Sequence, residues 1–566
     1  MPGGLLNLIS VGSNNQFLTG NPTKTFFNVT YSKYTNFGLQ KFRLDYDGQR
    51  SLRLTDKSTF TFRVKRNADL LMDTYLVLTL PDIYSPIYPL YDPSNNSHTG
   101  LPNTWAPYEY RWIRDLGTHM IDELTITCGN LILQKYSGQY LAAMVDRDFS
   151  AEKKDLFDRM TGNVAELNDP AQAFNRFNTY PSAFIPTDAN GAPLPSSTNP
   201  GAEPSIRGRT IYVPINTWFT LNSRCAFPLI SLQYNELVIT VTLRPIQELF
   251  QIRDVLDVGN SFPYIAPDFN REELRFYRFL QSPPAIDITT SANAYTNQSL
   301  TWNADVHLLA TYCFLSDDER RAFTAKDQIY LVKDVFQYNF YSVTGTQRLQ
   351  VASSGMIANW MWYLQRDDVN TRNEWSNYTN WPYQNLPQNV QRPFIPLTIQ
   401  NSVSTPGFTD DGVSTGIFIT GETQPQNQRE ILATLGIVLD GEYRENTMES
   451  GVFDYVEKYV RTQGTAKSGV YCYNFGLNTD PFEYQPSGAI NMSKFRTVEL
   501  EISTYVPPVD LVNSTVDILC DGNGNPVGIR KDAWQLYQYN YNLVLFEERY
   551  NILSIVGGNC GMLYAR

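Results

Sequence analysis

The order of elements repeats along this chain, and that repetition limits its fold more than any single motif does. In the first half a strand at Leu71 to Leu80 leads through a Pro-rich loop, Pro81 to Pro107, to a strand pair around Cys128-Gly129-Asn130. A helical stretch follows, predicted to carry Phe149, Leu156 and Met160 on one face because spacings of four and seven return close to the same angle. A long loop to Gly208 then precedes strands at Ile211 to Phe219, Ile230 to Leu243 and Val306 to Leu315. The second half runs through the same order. A strand at Met356 to Gln365 and a long polar loop come before strands around Asp440-Gly441-Glu442. Then come a helix with Val452, Tyr455, Val456 and Tyr459 at helical spacing and strands at Tyr471 to Leu477, Val498 to Ile502 and Tyr537 to Leu545. Two β-rich units in tandem, interrupted at corresponding places, point to a duplication.

The strands are read from period-two alternation. In Thr59-Phe60-Thr61-Phe62-Arg63-Val64-Lys65 apolar and polar residues alternate, as a half-buried strand requires, and Leu237, Ile239, Val241 and Leu243 repeat the pattern with Thr240 and Thr242 opposite. Aromatic residues at 13%, with 36 Tyr and 31 Phe, and turns supplied by 33 Pro and 34 Gly favour strands over helices. The 566 residues would fill three or four average domains or two large sandwiches. The join is expected at Ser316 to Lys326. There Ser316-Asp317-Asp318-Glu319 has capping-box spacing, and the charged run through Arg320 and Arg321 reads as a solvated helix with its acids in the first turn. Residues Met1 to Thr23 carry the apolar patch Leu5, Leu6, Leu8 and Ile9, and no charged residue until Lys24. They read as an arm that orders only against a partner.

The residues supply little chemistry. Forty-five Lys and Arg against 57 Asp and Glu give a net charge of −12, which opposes direct binding of nucleic acid. The six cysteines, Cys128, Cys225, Cys313, Cys472, Cys520 and Cys560, are scattered without a CxxC pair and read as free thiols of a reducing compartment. Without a basic leader or a run of about 18 apolar residues the chain is expected to be neither conventionally secreted nor membrane-spanning. His98, His119 and His307 have no zinc or triad spacing and read as structural. Gly464-Thr465-Ala466-Lys467-Ser468 lacks the second glycine of a phosphate loop, and Asp521-Gly522-Asn523-Gly524-Asn525 lacks a closing Glu for calcium and reads as a hairpin turn. No catalytic residue, cofactor or metal is expected.

Aromatic residues carry the rival reading, a carbohydrate-binding or carbohydrate-active β-sandwich. Trp360 and Trp362 share a strand face and are expected to pack, while Trp375 and Trp381 fall in the polar loop and are candidates for glycan or receptor contact. Glycosylation sequons occur at Asn28, Asn95, Asn297, Asn377, Asn491 and Asn513, of which Asn95 and Asn377 lie in loops.

Several segments are similar to one family. Gly3-Gly4-Leu5-Leu6-Asn7-Leu8, Leu18-Thr19-Gly20-Asn21-Pro22 and Thr25-Phe26-Phe27-Asn28-Val29-Thr30-Tyr31-Ser32-Lys33-Tyr34-Thr35-Asn36-Phe37 resemble the opening of the major capsid proteins of nucleocytoplasmic large DNA viruses. Ala226-Phe227-Pro228-Leu229-Ile230-Ser231-Leu232-Gln233-Tyr234-Asn235-Glu236 resembles a strand late in that family's first domain. Phe314-Leu315-Ser316-Asp317-Asp318-Glu319-Arg320-Arg321-Ala322-Phe323 resembles its domain junction, and Pro486-Ser487-Gly488-Ala489-Ile490-Asn491-Met492-Ser493 a late second-domain signature. Tyr550-Asn551-Ile552-Leu553 and Gly561-Met562-Leu563-Tyr564 close the chain as the family does.

The resemblance implies a mostly β double jelly roll, two tandem eight-stranded sandwiches with long loops and a few short helices. It divides the chain into an arm at 1–24, a first jelly roll at 25–315, a junction at 316–326 and a second jelly roll at 327–566. It further implies a structural, non-enzymatic protein. Homotrimers would form pseudo-hexagonal capsomers that tile an icosahedral virion shell and contact neighbouring capsomers, minor capsid proteins and an internal membrane, but not the genome. Assembly would take place in the cytoplasm of the infected cell. The loops Pro81 to Pro107 and Arg366 to Gln428 would project from the outer surface.

Overall fold

A computed structural model of the chain describes residues 3–48, 51–85, 108–171, 173, 204–254, 264–282, 295–380, 429–465, 467–506, 517–520, 526–530 and 539–564. Eight wall strands form first: β1 Phe37–Leu44, β2 Ser58–Arg63, β3 Leu70–Thr79, β4 Ile121–Cys128, β5 Leu131–Tyr136, β6 Thr210–Pro214, β7 Leu237–Leu243 and β8 His307–Leu315. They make two antiparallel sheets in the orders β1-β8-β3-β6 and β2-β7-β4-β5, with the two-residue strand Phe227–Pro228 beside β6 on β3 and Asp47–Gly48 on β2. Eight more follow: β9 Gln328–Phe340, β10 Thr346–Gln350, β11 Met356–Arg366, β12 Leu432–Leu439, β13 Glu442–Glu449, β14 Val470–Asn474, β15 Val498–Thr504 and β16 Tyr541–Val556. Their orders are β9-β16-β11-β14 and β10-β15-β12-β13, each the first set advanced by eight. In both sandwiches the first strand pairs with the last, Phe37 opposite Leu315 in one and Gln328 opposite Ile555 in the other. That is a jelly roll built twice, and the mostly β double jelly roll expected from the sequence is the fold observed.

Alternation places the walls. Leu237, Ile239, Val241 and Leu243 of β7 are buried and the residues between them half-buried, and Phe60 and Phe62 of β2 face the same interior. The turn between β12 and β13 is Asp440-Gly441, with φ of 51° and 87°, the left-handed pair that a two-residue hairpin needs. Elsewhere the elements depart from the sequence reading. The predicted strand Ile211 to Phe219 ends at Pro214, and Trp218–Leu221 forms a helical turn with a Thr217/Thr220 capping box. In Ile230 to Leu243 only Leu237–Leu243 is strand, because Leu229–Ser231 is a 3-10 turn whose backbone ties to Asp69.

Helices connect several of the walls. Helix α1, Gly138–Asp148, is capped by Ser137, and α2, Ala151–Thr161, by Ser150. The face predicted for this stretch is corrected: Phe149 is buried but ends α1, and Phe157 and Thr161 turn inward on α2 while Leu156 is exposed. A break between two helices resets the angle, so spacings counted across it do not share a face. Helix α3, Asp317–Ala325, starts after Ser316 with acids in its first turn and buries none of its residues, but Ser316 makes no side-chain cap. Arg320 instead holds Asp69 with two bonds of 3.1 Å, which ties the junction to β3's entry.

Buried side chains form two large clusters. One fills the first sandwich and continues across into Met361, Tyr363, Phe546, Leu553 and Ile555, and the other fills the second sandwich around Trp360, Trp362, Leu435 and Leu500. Strand β11 therefore has both faces covered: Trp360 and Trp362 point into its own sandwich and Met361 and Tyr363 toward the first.

Candidate assembly surfaces and the seam between the sandwiches

The seam is organised by α1 and the middle of β16. Arg147, at the end of α1, is buried and reaches across to donate to Glu548 at 2.7 Å and Asn359 at 2.9 Å, while also holding Asp148 at 2.6 and 2.8 Å. Tyr140 donates to Glu548 at 2.9 Å, Asn359 to the same carboxylate at 2.9 Å, and Thr479 to Asp148 at 2.6 Å. Burial works against ionisation of Glu548, but the Arg147 charge, Lys333 and the donated hydrogen bonds outweigh it and hold this carboxyl down at about 2. For Asp148 burial prevails and its pKa is raised. One guanidinium thus serves two buried carboxylates.

The stretch already rejected as a phosphate loop belongs to this seam. Gly464 donates its backbone N–H to the Arg147 carbonyl at 2.9 Å, in a space that a side chain would fill, and Lys467 pairs with Asp115 at 2.9 Å. Nearby His119 is fully buried and, among the described residues, neither ring nitrogen has a hydrogen-bond partner; burial, only partly offset by Asp115, lowers its pKa to about 3. It is a neutral structural histidine. His307 rests its Nδ1 on the Asp305 carbonyl at 2.7 Å, and His98 lies outside the described residues. Among the described residues no three His, Cys, Asp or Glu side chains converge to hold a metal, and no helix is long and apolar enough to cross a membrane. Asp521 to Asn525 also lie outside them.

Trp375 is placed in the seam. Its Nε1 donates to the Glu248 carbonyl at 2.9 Å, and the Arg244 guanidinium lies 4.5 Å from the ring centre. Asn373 beside it donates to the carbonyls of Gln247 and Phe250, each at 2.8 Å. The described start of the loop, residues 366–380, is therefore buried against the first sandwich instead of projecting. Asn377 donates to Glu374 at 3.1 Å and is buried, so this sequon is closed to a glycan. Trp381, Asn95 and most of both long loops lie outside the described residues.

Exposed apolar side chains mark the surfaces open to partners. From residue 3 to residue 40 every side chain except Asn15 is exposed, including Leu5, Leu8, Phe17 and Phe27. Gly3–Ile9 is helical without burying one residue. In the second sandwich the turn Val452–Val456 and helix α4, Glu457–Arg461, bury Phe453, Asp454 and Lys458 but leave Tyr455, Val456, Tyr459 and Val460 outside, with Tyr459 92% exposed. Of the spacing found in the sequence, Tyr455, Val456 and Tyr459 thus lie on the outward face, while Val452 packs against the second core. Beside it runs an open groove of about 580 Å³, lined by Tyr455, Val456, Tyr459 and Thr462.

Two sandwiches of one topology, locked by a buried charged seam and carrying uncovered apolar faces, define a structural double jelly-roll protein. Residues 25–316 match the family described as major capsid protein N-terminus, and residues 319–561 the large eukaryotic DNA virus major capsid protein. The chain is 25% identical to the major capsid protein of Phaeocystis pouchetii virus and 23% identical to that of Paramecium bursaria Chlorella virus 1, over the full length of both chains in each case. Among solved structures it resembles the Faustovirus major capsid protein, with TM-score 0.57, 11% identity and coverage of 94% of this chain and 92% of that one. It likewise resembles PBCV-1 VP54, with TM-score 0.55, 17% identity and coverage of 96% and 100%. The chain belongs to the major capsid proteins of large eukaryotic DNA viruses.

Proposed function

We propose that three copies of this chain associate into a pseudo-hexagonal capsomer, and that such capsomers tile an icosahedral virion shell. The observation that carries the reading is the repeated strand order. Three copies of a chain with two like sandwiches present six like units, so a trimer with closed symmetry fits a six-fold position. The uncovered face of Tyr455, Val456, Tyr459 and Val460 supports a contact with a second copy, since apolar patches of this kind mark interaction sites. The arm, proposed as residues 1–24, serves contacts with neighbouring capsomers, minor capsid proteins or an internal membrane. Residues 25–315 and 327–566 act as the two jelly rolls around the 316–326 junction. The negative charge favours a shell kept apart from the genome, and assembly is placed in the host cytoplasm. The chain has no catalytic activity in this reading. The outer parts of the two long loops, with Trp381, remain the proposed outward surface for glycan or receptor contact.

Size-exclusion chromatography with mass measurement on the full chain tests the proposal. A trimer is expected at micromolar concentration, and Tyr459→Asp is expected to release folded monomer. A monodisperse wild-type monomer would refute it and reopen the enzyme reading.

A further inference from the structure

The cysteines look scattered in sequence, yet two of them meet where the end of the chain returns to the first sandwich. After β16 the chain turns through Gly557-Gly558 into a last strand, β17, Asn559–Met562, which places Cys560 opposite Ile555. This hairpin is docked on the first sandwich: the Gly558 carbonyl accepts the backbone N–H of Gln233 at 3.0 Å, and Gly558 leaves no room for a side chain against Gln233. Cys128 ends β4 and is paired to Leu237 on one side and Leu131 on the other, so its backbone is equally fixed. The two thiols lie within hydrogen-bonding reach of each other. Cys560 is part of the apolar cluster that contains Cys128, and both are free.

We propose that Cys128 and Cys560 are a redox pair whose oxidation forms a disulfide between the two jelly rolls and clamps the C-terminal hairpin to the first sandwich. The oxidant is a peroxide. Cys560, partly buried where Cys128 is fully so, attacks the O–O bond as thiolate, giving a sulfenic acid and hydroxide, which takes up the proton the thiol lost to become water. The Cys128 sulfur then attacks the sulfenic sulfur, and its proton leaves with the hydroxyl as a second water. Two electrons pass from the two sulfurs to the peroxide, and two thiols and one peroxide become one disulfide and two waters. The division of labour follows from the contact. Hydrogen bonding to Cys560 and burial raise the pKa of Cys128, while the bond from Cys128 lowers that of Cys560 against its own burial, so Cys560 gives up its proton the more readily of the two. The inference does not depend on capsomer formation, because both cysteines belong to one chain.

The test is peptide mapping of the full-length protein under non-reducing conditions, after full reduction and treatment with hydrogen peroxide. The expected product is a Cys128–Cys560 linked peptide pair, lighter by two hydrogens, free of added oxygen and lost on adding dithiothreitol. Cys560→Ser and Cys128→Ala should each abolish it, while Cys225→Ser should not. Should either variant fail to fold, titration of total thiols in the denaturant-unfolded wild type before and after peroxide decides, with a loss of two thiols per chain expected. The proposal is overturned if Cys560 ends as a sulfinic acid with Cys128 still reduced, if the link joins different chains, or if both thiols survive an excess of peroxide.

Discussion

The two jelly rolls share a strand order and differ in what covers the same sheet. In the first, the outer face of the sheet that holds β1 carries Phe37, Leu39, Lys41 and Arg43, all exposed. In the second, the middle of the equivalent sheet is buried on both faces, since Met361, Tyr363 and Phe546 continue the first sandwich's core, while Ile329 and Leu331 of its edge strand β9 stay exposed. Strand β16 makes the change along its length. Tyr541, Leu543 and Leu545 belong to the second core, Glu547 and Glu548 sit at the crossing, and Leu553 and Ile555 belong to the first. Strand order decides which residues pair. Burial depends on the neighbour, and here fusion has made a neighbour for one roll and left the other's face to a different partner.

Removing the seam's cation breaks this asymmetry most severely. Arg147→Ala leaves the buried carboxylates Asp148 and Glu548 uncompensated, at an expected cost of about 3–5 kcal/mol. Urea unfolding should resolve the loss, with the second roll's tryptophan signal, from Trp360 and Trp362, shifting to lower denaturant. A change under about 1 kcal/mol would mean that the apolar contacts alone join the rolls.

The next test contrasts the two outer faces directly. Met361→Ala empties a site covered by the first roll and should cost about 2–5 kcal/mol. Leu39→Ala, on the open face, should change the stability of the isolated chain by less than about 0.5 kcal/mol. Equal effects would show that the covered and open faces do not differ in energy.

The protein's own sequence shows this pattern unevenly. Alternation in Thr59 to Lys65 and Leu237 to Leu243 exposed the walls because a one-sided strand leaves a period of two. The repeated order exposed the duplication, and the family resemblance supplied the jelly roll. The two-sided burial of β11 was hidden, since its unbroken apolar run does not say what lies on either face. The seam was hidden for a related reason: Arg147 and Glu548 are 401 residues apart, and neither has a local pattern that names the other. The outward face at Tyr459 shows the converse, because helical spacing identifies a stripe but not the direction in which it points.

Acid should act first at the seam's buried histidine. His119 has a folded pKa of about 3 against an ordinary value of about 6.5, so between these values the unfolded chain binds a proton that the folded chain does not. Its contribution is complete above pH about 6.5 and is lost as pH falls, by at most about 1.4 kcal/mol per pH unit. Asp115 draws the proton in, and Lys467 and Arg244 repel it. Glu548, held at about 2, adds a second loss of the same sign as pH falls below the ordinary carboxylate range. Stability measured from pH 7 to 4 should therefore decline, with a shallower slope in His119→Leu. An unchanged slope would place the acid sensitivity elsewhere.

A smaller loss than at Met361 is expected at Trp375, where the question is whether a loop tryptophan serves the fold or an outside ligand. Trp375→Phe keeps an aromatic ring over Arg244 but removes the indole N–H that meets the Glu248 carbonyl. One neutral hydrogen bond at a half-buried site is worth about 1 kcal/mol, and the weaker ring face takes away a few tenths more of the cation–π attraction. The variant should lose about 1–1.5 kcal/mol of stability while the oligomeric state stays as in the wild type. Because the contact lies between residue 375 of one roll and residues 244 and 248 of the other, the loss should disappear in a background where Arg147→Ala has already loosened the seam. A full loss in that background would mean that Trp375 supports its own loop and does not hold the two rolls together.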